Sequence, residues 1–397
     1  MMEDIKKYQK AEKLKKRREE TQPIPRYYDG LKDLADRLHP KNQILKLVEI
    51  NSLNYDTKLY RFVSVKSEQP LAPFRAGQYI GLTVVINGVR TSRPYSIVSS
   101  PNQLAYYELA IRKKENGFIS PYLFNKAKVG DLFEATEPIG NLYYNRIFHG
   151  NNLVLIAGGC GITPFLSMLR DFHERDVSLN IWLIYGCVTE NDIIFREFLE
   201  NLRKIHPNIN VNFILSKPDD KWKGACGFIT KEIISDFVPS PLKKYFFIVG
   251  NQPMYNFIED QLEKLNLPLH KAFYEAFGVP DDITQMIGWP EEIKQSDSIE
   301  ITLDFLNNQG SINKVSFEAS CVEPILNSIE RQISLNISIK NGCRSGICAF
   351  CRSKLISGDV YVPPMITIRE VDKEFGFIHP CISYPLTNIH LDLTNTC

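Results

Sequence analysis

The chain has 397 residues, 44% of them hydrophobic and 23% charged, with a formal net charge of +1. That length implies two or three domains, each able to bury a core, and the near-neutral balance gives no electrostatic reason for nucleic acid or an acidic polymer as partner. No apolar run reaches the ~18–20 residues of a membrane helix, and the charged start MMEDIKKYQKAEKLKKRREE lacks the apolar core of a secretory signal, so the cytoplasm is the expected compartment.

Residues 1–40 read as a charged helical extension with a poor apolar stripe, broken at TQPIP. Residues 41–148 change to short alternating segments. KLYRFVSVKS, QYIGLTVVING, SRPYSIVSS, YYELAIRKK and DLFEATEPIG all read as strands, and strands without long helices between them predict an antiparallel barrel. Over 149–278 the apolar strands NLVLIAGG, LNIWLIYGC, NVNFILS and KYFFIVG alternate with helical patterns, which predicts a parallel doubly wound α/β domain. Residues 279–296 have no sustained period and read as a linker. From 297 to 397, IEITLDF and NKVSFEAS form a hairpin pattern, EPILNSIERQ a helix, and a cysteine-rich loop follows.

The chain has nine cysteines, an odd number, without an export signal, so a disulfide framework is not expected. Four of them are spaced Cys343-x4-Cys348-x2-Cys351, with Cys381 thirty residues on. A zinc ribbon pairs two C-x2-C knuckles and only one is present; the spacing is that of a plant-type [2Fe–2S] ligand set. Zinc and a metal-free loop are the competing readings. Gly342 and Gly346 are expected to adopt positive φ and turn N–H groups toward the sulfurs, and Gly358 to make the turn beyond. Cys397 falls outside the pattern.

A one-electron cluster cannot take a hydride, which calls for a flavin between it and a two-electron donor. SRPYSIVSS offers Arg93 for a flavin phosphate, Tyr95 to pack on the isoalloxazine and Ser96 to bond near N5. NGFISPYLF offers Gly117 and Ser120 at a helix start. Either string alone is weak. LVLIAGGCGITPFLSML then runs a strand into Gly158, Gly159 and Gly161, with Thr163 as a cap and Pro164 opening a helix, a place for a dinucleotide pyrophosphate.

In this order R-x-Y-S, G-x-x-S, GGxGITP and VGNQPM resemble the ferredoxin–NADP reductase superfamily, and with the C-terminal cysteine region the chain is similar to its oxygenase-reductase, phthalate dioxygenase reductase-like branch. The resemblance covers about residues 41–397. It implies a Greek-key flavin barrel, a parallel nicotinamide domain and a mobile β-grasp ferredoxin domain. It implies that Arg93, Tyr95, Ser96, Gly117 and Ser120 hold flavin, that Gly159, Gly161, Thr163, Pro164, Gly250, Pro253 and Met254 hold nicotinamide nucleotide, and that Glu275 and Phe277 lie near the flavin. Ser96 and Glu275 are the expected catalytic pair, because Val249 replaces the cysteine that relatives carry beside the nicotinamide. Cys160, inside the glycine turn, either faces the nicotinamide pocket or fills space, and space-filling is the expectation.

The implied activity is an NAD(P)H-dependent reductase that passes electrons through flavin, FAD in preference to FMN, and a [2Fe–2S] cluster singly to a separate terminal protein such as an oxygenase component. Ser216 and Lys217 favour NADPH, Asp219 and Asp220 favour NADH, and the balance leans to NADH. The alternatives are a non-autonomous electron-transfer subunit of a larger dehydrogenase and a redox-sensing interaction protein.

Overall fold

The computed structural model of the chain describes residues 26–40, 42–65, 70–115, 117–276, 282–307, 310–332, 334, 337, 339–364, 366 and 368–394. The chain divides into two compact units, Met1–Lys41 and Asn42–Cys397. In the first, residues Arg26–Leu38 form a helix on which Leu31, Leu34 and Leu38 are exposed. Their spacing places them on one helical face. The sequence reading found no such stripe, and the helix it expected before TQPIP lies outside the described residues.

The second unit begins with six antiparallel strands, β1 (Gln43–Ser52), β2 (Thr57–Ser64), β3 (Tyr79–Ile86), β4 (Val89–Ser96), β5 (Tyr107–Arg112) and β6 (Leu132–Ala135), in the order β4-β3-β6-β1-β2-β5. Alternation sends Leu45, Leu47, Tyr60, Phe62, Ile80 and Leu82 inward to one core. The sheet closes on itself just past β4, where Ile97 bridges Leu109 and the Val98 N–H donates to the Glu108 carbonyl at 2.8 Å. The longest strand, β1, was missed as a segment; its exposed Ile44 and half-buried Val48 put apolar residues on the outward positions and dilute the alternation.

Next comes a parallel sheet of β7 (Asn152–Gly158), β8 (Asn180–Cys187), β9 (Ile209–Leu215), β10 (Ala225–Cys226), β11 (Tyr245–Gly250) and β12 (Ala272–Ala276) in the order β10-β9-β8-β7-β11-β12. The order reverses between β7 and β11, and such a switch point opens a crevice at the carboxyl ends of the strands. The barrel is fastened to this domain by helix Thr163–Glu174, whose Ser167 Oγ donates to the Ser99 carbonyl at 2.8 Å and whose Arg170 donates to Glu108 Oε2 at 2.6 Å.

The third part carries β13 (Ser298–Leu306), β14 (Ile312–Ser320), β15 (Ser353–Ser357), β16 (Val360–Tyr361), β17 (Phe377–Ile378), β18 (Tyr384–Pro385) and β19 (Ile389–Asp392). Its main sheet runs β14-β13-β19-β15-β17, with β16 and β18 paired separately. Helix Ile325–Glu330 packs Ile325, Leu326 and Ile329 onto this sheet. The described part of the linker is not a loose connection: Trp289 is buried edge-on against Tyr361 and Tyr384.

Candidate functional site

A cavity of about 670 Å³ lies at the switch point, lined by the glycine turn after β7 and the start of helix Gln252–Lys264 after β11. The turn is a 3-10 segment, Gly159–Ile162, and Gly159 holds φ +53. A Cβ at Gly158 would sit 2.1 Å from Met254 Sδ and one at Gly250 2.5 Å from it, so the glycines make room for Met254 at the cavity wall. Gly159, Gly161, Gly250, Pro253 and Met254 all line the cavity. Thr163 and Pro164 do not. They are buried behind the turn, and Thr163 Oγ1 donates to the Cys160 carbonyl at 2.9 Å instead of capping.

Cys160 lines this cavity, which corrects the space-filling expectation, and burial pushes its thiol up to about 11. Arg112, a barrel residue with no sequence signature, reaches the same wall, with Nη1 3.1 Å from where a Gly159 Cβ would stand. It is held there by Asp56 at 2.7 Å and Asp192 at 3.2 Å. Ser216 is on the cavity wall, whereas Lys217, Asp219 and Asp220 are off it. Asp219 closes a turn, accepting from the Trp222 N–H at 3.1 Å.

On the barrel, β4 delivers Arg93, Tyr95 and Ser96, with Ser96 opposite Tyr79 on β3. Arg93 donates to the Ser92 carbonyl at 2.7 Å and to Thr91 Oγ1 at 3.2 Å, and burial beside Arg344 lowers it to about 10. Gly117 and Ser120 meet at the start of helix Ile119–Lys126: Ser120 Oγ accepts from the Lys114 N–H at 3.0 Å, and the helix start has no side-chain cap. Among the described residues, Ser96 Oγ and Glu275 Oε2 are buried polar atoms with no hydrogen-bond partner. Burying such atoms is costly unless something pairs with them. Burial pushes the Glu275 carboxyl up to about 8, so it is largely neutral at pH 7. Two orphaned polar atoms at positions expected beside a flavin ring fit such a group. Phe277 lies outside the described residues.

The cysteine loop presses against this strand pair. Cys343, Cys351 and Cys381 are buried and Cys348 half-buried. Cys343 Sγ accepts from the Ser345 and Cys348 N–H groups, each at 3.3 Å. It also accepts from the Cys348 and Cys381 thiols, which holds it far below the usual thiol range, while Cys381 lies against Cys343 and Cys351 and is held up. Among the described residues no three or more His, Cys, Asp or Glu side chains are grouped as ligands of one ion; the four sulfurs are linked pairwise, Cys343 to Cys348 and Cys381, and Cys381 to Cys351. A donor set of buried sulfurs already receiving backbone N–H bonds fits a two-iron cluster, which takes two thiolates on each metal. Gly346 has φ +80 and Gly358 φ +92, as expected, but Gly342 does not; its missing Cβ leaves room for Ile139, which would lie 2.8 Å away. The other left-handed positions in the loop are Arg344 and Ala349.

One junction residue escaped the sequence reading. A Cβ at Gly140 would lie 2.9 Å from the Tyr79 ring and 3.5 Å from Glu275 Oε1, which puts ring and carboxyl side by side. Burial, then the charges of Cys343 and Glu275, push the Tyr79 hydroxyl above its ordinary value. Tyr79 and Glu275 therefore both border Gly140, and the sulfurs are near enough to act on the Tyr79 hydroxyl. In sequence Tyr79 is an ordinary inward strand residue, with no signal to single it out.

Comparison with known proteins matches three families in order: an oxidoreductase FAD-binding domain over residues 44–144, an oxidoreductase NAD-binding domain over 155–260, and a 2Fe-2S iron-sulfur cluster binding domain over 306–386. The chain is 33% identical over 231 residues to NADH-cytochrome b5 reductase 1 of Meyerozyma guilliermondii, covering 57% of this chain and 80% of that one. It is 24% identical over 358 residues to a glycine betaine monooxygenase reductase subunit of Chromohalobacter salexigens, covering 88% and 94%. The structure of phthalate dioxygenase reductase, described as modular for electron transfer from pyridine nucleotides to [2Fe-2S], shares the fold at TM-score 0.63 and 22% identity, over 89% of this chain and 98% of that one.

Proposed function

Because the chain belongs to the ferredoxin–NADP reductase superfamily and carries FAD, NAD(P) and [2Fe–2S] domains, we propose that this NAD(P)H oxidoreductase delivers electrons singly to a separate oxygenase component. The observation that carries the reading is the seat of the cysteine loop on the flavin strands: a Cβ on Gly81 of β3 would lie 3.5 Å from the Gly342 carbonyl oxygen, beside the pair β3–β4 that presents Ser96. When bound, FAD accepts the two electrons that NAD(P)H gives as a hydride and releases them one at a time, which is what a [2Fe–2S] cluster can accept.

The residues have separable tasks in this proposal. Gly159, Gly161, Gly250, Pro253 and Met254 form the cavity wall against which the dinucleotide lies, and Arg112 adds a cation from the barrel side. Arg93 serves a flavin phosphate, with Gly117 and Ser120 at the neighbouring helix start. Ser96 Oγ and the neutral Glu275 carboxyl pair with the flavin edge, which relieves two orphaned atoms. Cys343, Cys348, Cys351 and Cys381 hold the cluster. Ile347, 47% exposed beside half-buried Cys348, is where an acceptor would approach.

The donor in this reading is NAD(P)H: of the four residues weighed between NADH and NADPH only Ser216 lies on the cavity wall, and Lys217, Asp219 and Asp220 are all off it. The cytoplasm fits a chain in which none of the eight described cysteines is in a disulfide. Among the described residues no helix is long and apolar enough to cross a membrane. The test is anaerobic titration of the cofactor-loaded protein with NADH. Both flavin and cluster absorption should bleach, and electrons should reach a purified oxygenase component. Flavin reduction without cluster reduction would sink the reading.

A further inference from the structure

The third part of the chain is bound to the flavin strand by a closed polar network. Thr91 Oγ1, on β4, donates to Glu330 Oε2 at 2.8 Å, and accepts from Arg344 Nη2 at 3.1 Å and Arg93 Nη1 at 3.2 Å. The other oxygen of Glu330 pairs with Arg344, whose Nη1 donates to Asn327 Oδ1 at 2.8 Å and whose Nε donates to Asn341 Oδ1 at 3.2 Å. Ser92 Oγ donates to the same Asn341 oxygen. Side-chain exposure is 5% at Arg344 and 8% at Glu330.

A buried ion pair repays its desolvation only when every remaining donor and acceptor is satisfied. Here satisfaction requires both sides. Asn327, Glu330, Asn341 and Arg344 come from the cysteine-bearing part, while Thr91 and Ser92 come from the barrel. Arg344 follows Cys343 directly and holds φ +50, so its side chain is tied to the shape of the cluster loop. Thr91 lies two residues before Arg93 and five before Ser96 on one extended strand. The network thus sets the loop in a single register on the strand that presents the flavin residues.

We propose that Arg344 and Glu330 are positioning residues, an interdomain latch that fixes the cluster loop on β4 for transfer from flavin to cluster. This replaces the mobile module that the family resemblance implied, and it rests on the electron-transfer reading above. With both groups bound, each transfer would take one electron from reduced flavin to the oxidised cluster; two transfers relayed to the external acceptor would discharge the pair supplied by NAD(P)H, with the flavin protons going to solvent.

Thr91 allows a test that leaves the cysteine loop untouched. Thr91→Val keeps the shape and removes the hydroxyl, Thr91→Ser restores it, and Glu330→Gln removes the charge. In the cofactor-loaded protein, Thr91→Val and Glu330→Gln should speed amide hydrogen exchange in residues 89–96, 325–332 and 339–344. They should slow cluster reduction about tenfold, as small misplacements do, while NADH reduces the flavin within about twofold of the wild-type rate and the dithionite-reduced cluster keeps its electron paramagnetic resonance. Thr91→Ser should behave as wild type. Wild-type exchange and cluster reduction in Thr91→Val, equal slowing in Thr91→Ser, or parallel loss of flavin reduction would each overturn the latch. A wild-type protein whose cluster NADH never reduces would overturn the functional reading instead.

Discussion

Gly161 and Val249 stand closer than a side chain allows: a Cβ on Gly161 would sit 2.2 Å from the Val249 carbonyl oxygen. That carbonyl belongs to buried β11, the strand paired with β7 at the switch point, and neither strand can retreat without breaking its ladder. Gly161→Ala should destabilise the nucleotide domain by about 1–3 kcal/mol, the usual cost of overpacking, and raise KM for NADH with flavin still bound. Scanning calorimetry and steady-state kinetics check this, and an unchanged melting temperature would count against the steric argument.

Glu275 predicts a pH dependence of stability. Its folded value is raised from 4.5 to about 8 by burial, so between those limits the folded state holds a proton the unfolded state has lost. Stability therefore falls as pH rises through that window. Glu275→Gln should flatten the fall, seen as a melting temperature that changes less between pH 5 and pH 8 than the wild type's. A variant with the same slope would show that the carboxyl is not buried as the structure has it.

The cysteine set separates the two redox sites. Cys381→Ser should abolish the cluster's absorption and paramagnetic signal, yet leave NADH-driven ferricyanide reduction through the flavin within about twofold, since ferricyanide can take electrons from the flavin without the cluster. Equal loss of both activities would mean that the sulfur loop supports the flavin site itself.

Ile347 tests the exit route. Ile347→Glu places a charge on the exposed tip of the cluster loop and should weaken delivery to an oxygenase component about tenfold, an interface hot-spot effect. Internal cluster reduction should be unchanged in stopped flow. If delivery is also unchanged, the acceptor docks elsewhere.

Much of this was legible in the chain because its signals are local. The Cys343-x4-Cys348-x2-Cys351 spacing and the GGCGITP turn are short, and a strand entering a glycine turn encodes its own crevice. Ser96 and Glu275 could be singled out by resemblance, and both prove to be buried atoms without partners. Gly342 was misread, because a glycine serves either a positive φ or a close approach, and only the presence of Ile139 across the gap tells which.

The sequence by itself determined the order of modules and the chemistry each can hold, since helix and strand periods, turn residues and ligand spacing act over a few residues. Only the tertiary structure decided how those modules meet. Thr91 and Arg344 are 253 positions apart, Ser92 and Asn341 are 249 apart, and Arg112 and Asp192 are 80 apart. Such contacts have no period or spacing to read; they exist because closing the barrel and docking the sheets leaves buried charges that must find one another.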